Sequence, residues 1–126
     1  MRWLDEANFA KGPAKFFKGV PMPLRPIVQG VIRRKIWKTL NWQGFGRHTT
    51  AEQNELAIKD IEALAALIGE KPFLMGNQPC GADATVFSFV AHVLCPVFVS
   101  PVRAAAEKHQ NLANYRDHLL GLYFPR

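Results

Sequence analysis

Apolar residues recur at helical spacing along this chain, and no segment alternates apolar and polar residues over the length of a strand. The clearest helical pattern runs from Leu24 to Leu40, and Pro26 suits its first turn. Its predicted apolar face comprises Ile27, Val28, Val31, Ile32, Ile36 and Leu40, with Arg33, Arg34, Lys35 and Lys38 mostly off that face. We therefore predict an all-α fold, a helical bundle.

Several helix ends can be placed from their capping residues. Thr49 and Glu52 have the spacing of a capping box, which opens a helix that ends at Gly69. Ser100, which precedes a proline, is predicted to cap a short helix. Asn111 is predicted to cap the last helix. The apolar residues of that helix are Leu112, Tyr115, Leu119 and Leu122.

Residues 71–90 contain the most informative local pattern. Residues 76–79 have the composition of a turn, and Asp83 follows Cys80 by three residues. A carboxylate at the third helical position can accept a hydrogen bond from the N-cap N–H, so Cys80 and Asp83 are predicted to form a structural helix cap. The Cys80 thiol is a poor acceptor for this role. We expect Asp83→Ala to cost about 1–2 kcal/mol of stability and Cys80→Ser to be neutral or stabilising.

The nineteen residues from Ala84 to Val102 contain no Asp, Glu, Lys or Arg. Their number is close to the roughly twenty residues of a membrane-spanning helix. However, Ser88, His92 and Pro96 interrupt the run, and the proline should end a helix. We interpret this segment as a buried core helix of a soluble protein and a membrane span as the less favoured alternative. The N-terminus lacks the apolar core of a signal peptide, so a cytoplasmic location is expected.

Composition favours one globular domain, since the 126 residues are 48% hydrophobic and 21% charged. The charge is unevenly placed: residues 1–47 carry a net charge of +8 and residues 48–126 carry −2. The candidate basic docking surface comprises Arg33, Arg34, Lys35 and Lys38, and such a surface can hold anionic lipid or an acidic partner. A solvated helix face beside an acidic domain is the preferred interpretation. No nucleic-acid-binding motif is present, so no nucleic-acid partner is predicted.

The sequence contains few residues in a pattern typical of catalysis or metal binding. Cys80 and Cys95 lie fifteen residues apart, too far to pair within one helix, and are expected to be reduced thiols. Of the four histidines only His92 has a His or Cys three or four residues on, namely Cys95, and one such pair offers too few ligands, so no metal site is predicted. His92 is expected to be a buried neutral imidazole, the alternative being a polar group in a ligand pocket.

An aromatic cluster is the remaining candidate for a binding site. It comprises Trp3, Phe9, Phe16, Phe17 and Trp37. Ligand pockets are mostly apolar, so these rings are candidates for the lining of an acceptor pocket. Core or interdomain packing is the preferred interpretation.

Five motifs, the fourth of them within residues 71–90, occur in order along the chain: Arg2-Trp3, Arg33-Arg34-Lys35, Gly46-Arg47-His48, Pro72-Phe73-Leu74 and residues 111–116. Together with residues 71–90, they resemble the C-terminal helical domain of the glutathione S-transferase superfamily, in its metaxin and failed-axon-connections branch. The family usually has Ser or Thr where this chain has Cys80. The resemblance covers residues 1–126 nearly completely, as one domain.

The resemblance implies that glutathione and the group that activates its thiol belong to a thioredoxin-like domain upstream of this chain. It implies no cofactor and no catalytic residue within residues 1–126. The chain itself would form the wall of a hydrophobic acceptor site and part of a homodimer interface. Alone it is then expected to be inactive, as a truncated part of a transferase that moves alkyl or aryl groups to glutathione.

The metaxin-like branch implies an alternative function. There the domain would be a non-catalytic protein- or membrane-docking module that uses the basic helix 33–38. The expected partners are therefore the thioredoxin-like domain and a second copy of the chain, with a membrane surface less favoured.

Overall fold

The structure is a computed structural model that describes residues 3–125. Within those residues the chain forms six α-helices and two short 3₁₀ helices, and no strand. The α-helices are α1 (Glu6–Lys11), α2 (Arg25–Trp42), α3 (Thr50–Ile68), α4 (Gly81–Val93), α5 (Pro101–Ala106) and α6 (Gln110–Tyr123). The 3₁₀ helices span Pro13–Phe17 and Phe45–Arg47. The predicted all-α fold is confirmed.

The described chain divides into two compact units. The first unit contains residues 3–53 and 97–99, and the second contains residues 54–96 and 100–125. The boundary between residues 53 and 54 falls within α3.

The first unit has a small core built from α1 and the 3₁₀ helix that follows it. Phe9 and Phe17 are buried there, with ring centroids 6.3 Å apart. The side-chain amide of Asn8 donates to the carbonyl of Val99 at 2.9 Å and accepts from the Val99 N–H at 3.1 Å. This pair of bonds ties residues 97–99 to α1. Gly12 lies close beside this segment, and a Cβ atom there would lie 2.7 Å from the ring of Phe98, so the ring would have to move.

The second unit contains the larger core. Its buried residues come from four helices and from the turn at residues 73–76: Ile61, Ala65, Ile68, Phe73, Leu74, Val90, Leu94, Ala106, Leu112, Tyr115 and Leu119. Gly76 adopts a φ of 134° at this turn, a backbone conformation that favours glycine. Ile68, Val90 and Leu112 are fully buried, one each from α3, α4 and α6.

Two of the predicted caps are confirmed. Thr49 and Glu52 form a reciprocal capping box, with Thr49 N–H donating to Glu52 Oε2 at 2.7 Å and Glu52 N–H to Thr49 Oγ1 at 3.3 Å. Ser100 caps α5 by accepting from the N–H of Arg103 at 3.1 Å. The structure differs at Asn111, which lies within the first turn of α6, whose N-cap is His109.

The nineteen-residue uncharged segment does not form one helix. Helix α4 ends at Val93, and α5 begins only at Pro101. No helix of residues 3–125 is long and apolar enough to cross a membrane. The segment contributes to the core through one side of α4 only, where Asp83 and Val90 are buried and Val86, Phe87 and Val93 pack against the buried residues. Helices α5 and α6 cover one side of α4, and His92 lies on the exposed side.

Helix α2 is confirmed, but its predicted apolar face is only partly covered. None of its eighteen residues is fully buried, and Ile27 and Val31 are 62% and 63% exposed. The other four residues of the predicted face, Val28, Ile32, Ile36 and Leu40, are half-buried. The physical reason is that two apolar stripes adjoin on α2, and only one packs within the first unit.

Candidate functional site

Asp83 is the most fully hydrogen-bonded side chain among the predicted site residues. Its Oδ2 atom accepts from the Cys80 N–H at 2.8 Å, which is the N-cap contact expected for a capping box. Its Oδ1 atom accepts from the Leu74 N–H at 2.8 Å and from the Tyr115 hydroxyl at 2.7 Å. Asp83 is 3% exposed. One carboxylate thus joins the turn at residues 73–76, the start of α4 and the middle of α6.

These contacts shift the pKa values of both side chains. Burial by itself would raise the pKa of the Asp83 carboxyl, but the hydrogen bonds from Leu74, Cys80 and Tyr115 outweigh it and lower that pKa below its usual value. Burial and the bond to Asp83 raise the pKa of the Tyr115 hydroxyl. The pair is therefore an ionised carboxylate and a neutral phenol near neutral pH. Because the carboxylate is almost completely buried and accepts three hydrogen bonds from the protein, the arrangement is structural.

The sequence pointed to Asp83 and Cys80 but not to two of the donors. Tyr115 lies 32 residues later and Leu74 lies nine residues earlier. The signal for Tyr115 was its position on the apolar side of the last helix, where a buried hydroxyl needs a partner.

The four residues of the candidate basic docking surface do not lie together. Arg33 turns inward: its Nη2 atom donates to the Leu4 carbonyl at 3.0 Å, and its guanidinium lies 5.0 Å from the centre of the Phe9 ring. Its Nη1 atom is also 3.7 Å from the carboxylate of Glu6. Arg33 therefore stabilises the packing of α2 on α1.

Arg34, Lys35 and Lys38 are exposed on the side of α2 that points away from this packing. Positions three and four residues apart share a helix face, so the same side carries further residues. We call this surface the outer face of α2; it comprises Leu24, Ile27, Val31, Arg34, Lys35, Lys38 and Trp42, all of them exposed. Trp42, at its end, is 87% exposed.

A shallow cavity of about 680 Å³ adjoins the basic end of this face. It is lined by Lys35, Trp37, Lys38, Thr39, Asn41, Trp42 and Gln43. Two tryptophans and two lysines thus border one shallow surface depression. The arrangement is suited to a negatively charged surface with an apolar component.

The aromatic cluster is mostly packed on itself. Trp3 lies 6.0 Å from Phe9, 6.4 Å from Phe16 and 6.4 Å from Phe17, measured between ring centroids. Phe9 and Phe17 are buried, as the packing interpretation predicts. Trp37 instead lines a cavity of about 360 Å³ in the same unit, with Leu4, Asp5, Leu40, Gly46, His48, Thr50 and Gln53.

The second unit has an apolar cleft of about 450 Å³ between α4 and α6. The Phe87 and Phe124 rings stack in it, with centroids 6.0 Å apart and planes 14° apart. The other lining residues are Pro79, Cys80, Asp83, Ala84, Ser88, Leu119 and Tyr123. The size and lining are those of a site for a small apolar molecule.

The remaining titratable side chains form no metal-binding or nucleophilic group among residues 3–125. No cluster of three His, Cys, Asp or Glu side chains is close enough to hold a metal ion in that part of the chain. His92 is exposed, so the expectation of a buried imidazole is wrong. Cys80 and Cys95 are both half-buried free thiols. Ser88 donates its hydroxyl to the Ala84 carbonyl at 2.8 Å.

Comparison with known proteins agrees with this architecture. A family model described as the C-terminal domain of glutathione S-transferase matches residues 57–119. The chain therefore belongs to the glutathione S-transferase C-terminal domain family, whose all-α fold it has.

The relatives identify the branch within that family. Metaxin-1 of Mus musculus is 29% identical over 98% of this chain, and this chain covers 42% of that protein. Failed axon connections of Drosophila melanogaster is 29% identical over 70% of the chain and 22% of its own length. Isoprene-epoxide–glutathione S-transferase of Rhodococcus sp. (strain AD45) is 28% identical over 73% of the chain and 39% of its own length. The resemblance to the metaxin-like branch is confirmed.

This chain thus spans less than half the length of these relatives. No solved structure matches it.

Proposed function

We propose that this domain docks at an anionic membrane surface through Arg34, Lys35 and Lys38 on the outer face of α2. The observation that carries the proposal is their common outward placement on that face. Residues 1–47 contain only two acids: Asp5 caps α1 by accepting from the Asn8 N–H, and Glu6 pairs with Arg33. The positive charge of the outer face is therefore available to an external anionic surface.

The magnitude of the attraction is sufficient for reversible docking. Each Lys or Arg close to an anionic leaflet contributes about 1 kcal/mol. Three such residues together correspond to about a hundredfold in partitioning. Trp42 supports the same interpretation, because an exposed indole beside cations suits the headgroup region of a bilayer. The relatives that match nearly the whole chain are metaxins, and resemblance to that branch is what implies a docking module.

The test is binding to vesicles of phosphatidylcholine with and without phosphatidylserine, followed by co-sedimentation. The variant R34Q/K35Q/K38Q is compared with K59Q/K71Q/K108Q, which removes the same charge from exposed lysines of the second unit. At about 0.1 M salt, where the Debye length is about 10 Å, the first variant should lose about a hundredfold in partitioning. The second should lose little.

Three outcomes would contradict the proposal. Equal losses in the two variants would mean that only net charge matters, and no binding by the wild type would remove the docking function. Vesicle binding that neither triple variant weakens would also remove the docking function. Arg33→Gln should lower stability and leave vesicle binding nearly unchanged, since Arg33 faces α1.

A second candidate function is the wall of a hydrophobic acceptor site. The apolar cleft between α4 and α6 favours it, and one relative is named as a transferase that joins isoprene epoxide to glutathione. Glutathione would then be held by a thioredoxin-like domain outside residues 1–126.

Anilinonaphthalene sulfonate serves as the probe of the cleft. Phe87→Ala should reduce its fluorescence on binding, whereas Phe89→Ala, at an exposed position of α4 outside the lining, should not. Equal signals from the two variants would remove this candidate.

A further inference from the structure

The outer face of α2 changes character once along its length. Its first half carries Leu24, Ile27 and Val31, which are 53%, 62% and 63% exposed, and we call these three residues the apolar half. Met22, in the turn before the helix, is also exposed. Contiguous exposed aliphatic side chains on a folded domain mark an interaction surface.

The apolar half is continuous with the basic residues. Ile27, Val31, Arg34 and Lys38 follow one another at intervals of four, three and four residues, which places them in one row along the helix. Ile27 and Lys38 are separated by about 16 Å along the axis, at 1.5 Å per residue. One face therefore offers an aliphatic surface and a cationic surface at a fixed separation.

This spacing fits the boundary of a bilayer. The apolar side of an interfacial helix is buried about 5–10 Å into the region where headgroups meet acyl chains. A helix tilted toward its first turn would place Ile27 among acyl chains while Lys38 stays near phosphates. The inward placement of Arg25, which donates to the Lys18 and Val20 carbonyls, keeps its charge off the apolar half.

Resting on the docking function above, we propose that the apolar half of the outer face enters the acyl-chain region of an anionic bilayer, with Arg34, Lys35 and Lys38 at the headgroups. Binding then has two separable parts. The basic residues supply attraction that salt weakens, and the aliphatic residues supply attraction that salt does not weaken. Binding should also increase on bilayers whose acyl chains are loosely packed, because these expose more apolar surface.

Depth-resolved fluorescence tests the insertion directly. In a background of Cys80→Ser and Cys95→Ala, an environment-sensitive NBD label is attached after Ile27→Cys, Lys38→Cys or Leu67→Cys. Leu67 is an exposed residue of α3 and serves as the control. Vesicles contain phosphatidylserine and lipids with a nitroxide either at the headgroup or deep in the acyl chain.

We expect the label at position 27 to shift to shorter wavelength and to be quenched more by the deep nitroxide. The label at position 38 should be quenched more by the headgroup nitroxide, and the label at position 67 should respond to neither. Vesicle binding with no quenching at position 27 would overturn insertion while leaving electrostatic docking intact. Absence of vesicle binding would overturn both proposals. If the label at position 27 shifts to shorter wavelength without lipid as the protein concentration is raised, this face binds a second copy of the chain and not a bilayer.

Paired substitutions supply an independent measurement. I27S/V31S removes aliphatic surface from the outer face, and L67S/L122S removes it from exposed positions of α3 and α6. The first pair should lower vesicle partitioning by about tenfold or more, with the larger relative loss at high salt. The second pair should leave partitioning unchanged. Equal effects of the two pairs, or no effect of the first, would overturn the proposal.

Discussion

Tyr115 donates a hydrogen bond of 2.7 Å from its hydroxyl to Oδ1 of Asp83, and both residues are almost completely buried. The same oxygen accepts from the Leu74 N–H, while the other carboxylate oxygen accepts from Cys80. This single side chain therefore stabilises a helix start and two tertiary contacts. The helix cap inferred from the sequence is one part of a larger network.

Asp83→Ala should cost more than the loss of a helix cap. A cap alone is worth about 1–2 kcal/mol, but here three donors would be left without their acceptor in a buried site. Each such unsatisfied group costs about 1–3 kcal/mol. We expect the free energy of unfolding, measured by urea denaturation near neutral pH, to fall by about 3 kcal/mol or more. A loss of unfolding free energy smaller than that of a single helix cap would contradict a stabilising role of the network.

Tyr115→Phe provides the matched control for that variant. It removes one hydroxyl and keeps the ring in the core, so a smaller loss of about 1–2 kcal/mol is expected. In the double variant with Asp83→Ala, the loss of unfolding free energy should be smaller than the sum of the two single-variant losses, because both substitutions remove the same hydrogen bond. Strict additivity would mean that the bond contributes nothing to stability.

Stability should decline in acid through the carboxyl of Asp83. The pKa of this group is lowered on folding, so its ionised form stabilises the fold above the unfolded-state pKa of about 3.9. That contribution is lost as pH falls through the lower folded-state pKa. Asp83→Asn should therefore flatten the decline in unfolding free energy below about pH 5.

Asp117→Asn is the control for the pH profile. The pKa of Asp117 is also lowered, by its hydrogen bond with Arg116, but its side chain is exposed, so solvent screens the interaction. Its removal should leave the acid limb nearly unchanged. If the two variants flatten the curve equally, Asp83 is not the group that governs acid stability.

Local sequence signals predicted the caps at Thr49, Ser100 and the start of α4 because each is complete within four residues. They failed at Asn111, whose partners are distant in sequence: its side-chain amide donates to the Ala65 carbonyl at 2.8 Å and to the Gly69 carbonyl at 3.1 Å. Asn111 is a capping residue, as its type suggested, but it caps the C-terminal end of α3 and not the start of α6. A tertiary acceptor leaves no local signature.

The surface of α2 shows a second limit of sequence patterns. Periodicity predicted one apolar face, and the structure divides it between half-buried Ile36 and exposed Ile27. Nothing in the spacing distinguishes the stripe that packs from the stripe that stays exposed. Arg33 illustrates the same point. Its position next to Arg34 suggested that both side chains belong to one basic surface, but Arg33 turns toward α1. The candidate docking surface could therefore be predicted only in part.

Asn111→Ala should destabilise the second unit by about 1–2 kcal/mol, since the Gly69 carbonyl would lose its side-chain donor and the Ala65 carbonyl would keep only the Gly69 N–H. Asn114→Ala is the matched control on the same helix, where the amide of Asn114 only accepts an exposed bond from Gln110. Its expected effect on the unfolding free energy is within about 0.5 kcal/mol. Hydrogen exchange should show faster opening at the end of α3 in the first variant alone. Equal protection in both variants would contradict this capping role.

Cys80→Ser should stabilise the domain or leave its stability unchanged. Cys80 has the extended backbone of an N-cap residue, with φ −130° and ψ 166°, which serine adopts readily. A hydroxyl accepts a hydrogen bond from the third helical N–H better than a thiol does, so the gain should be up to about 1 kcal/mol. Cys95→Ser is the comparison, since Cys95 lies beyond the end of α4 and has no capping position. A loss of unfolding free energy for Cys80→Ser larger than for Cys95→Ser would show that the thiol contributes apolar packing in the cleft between α4 and α6, and that this packing outweighs the better cap.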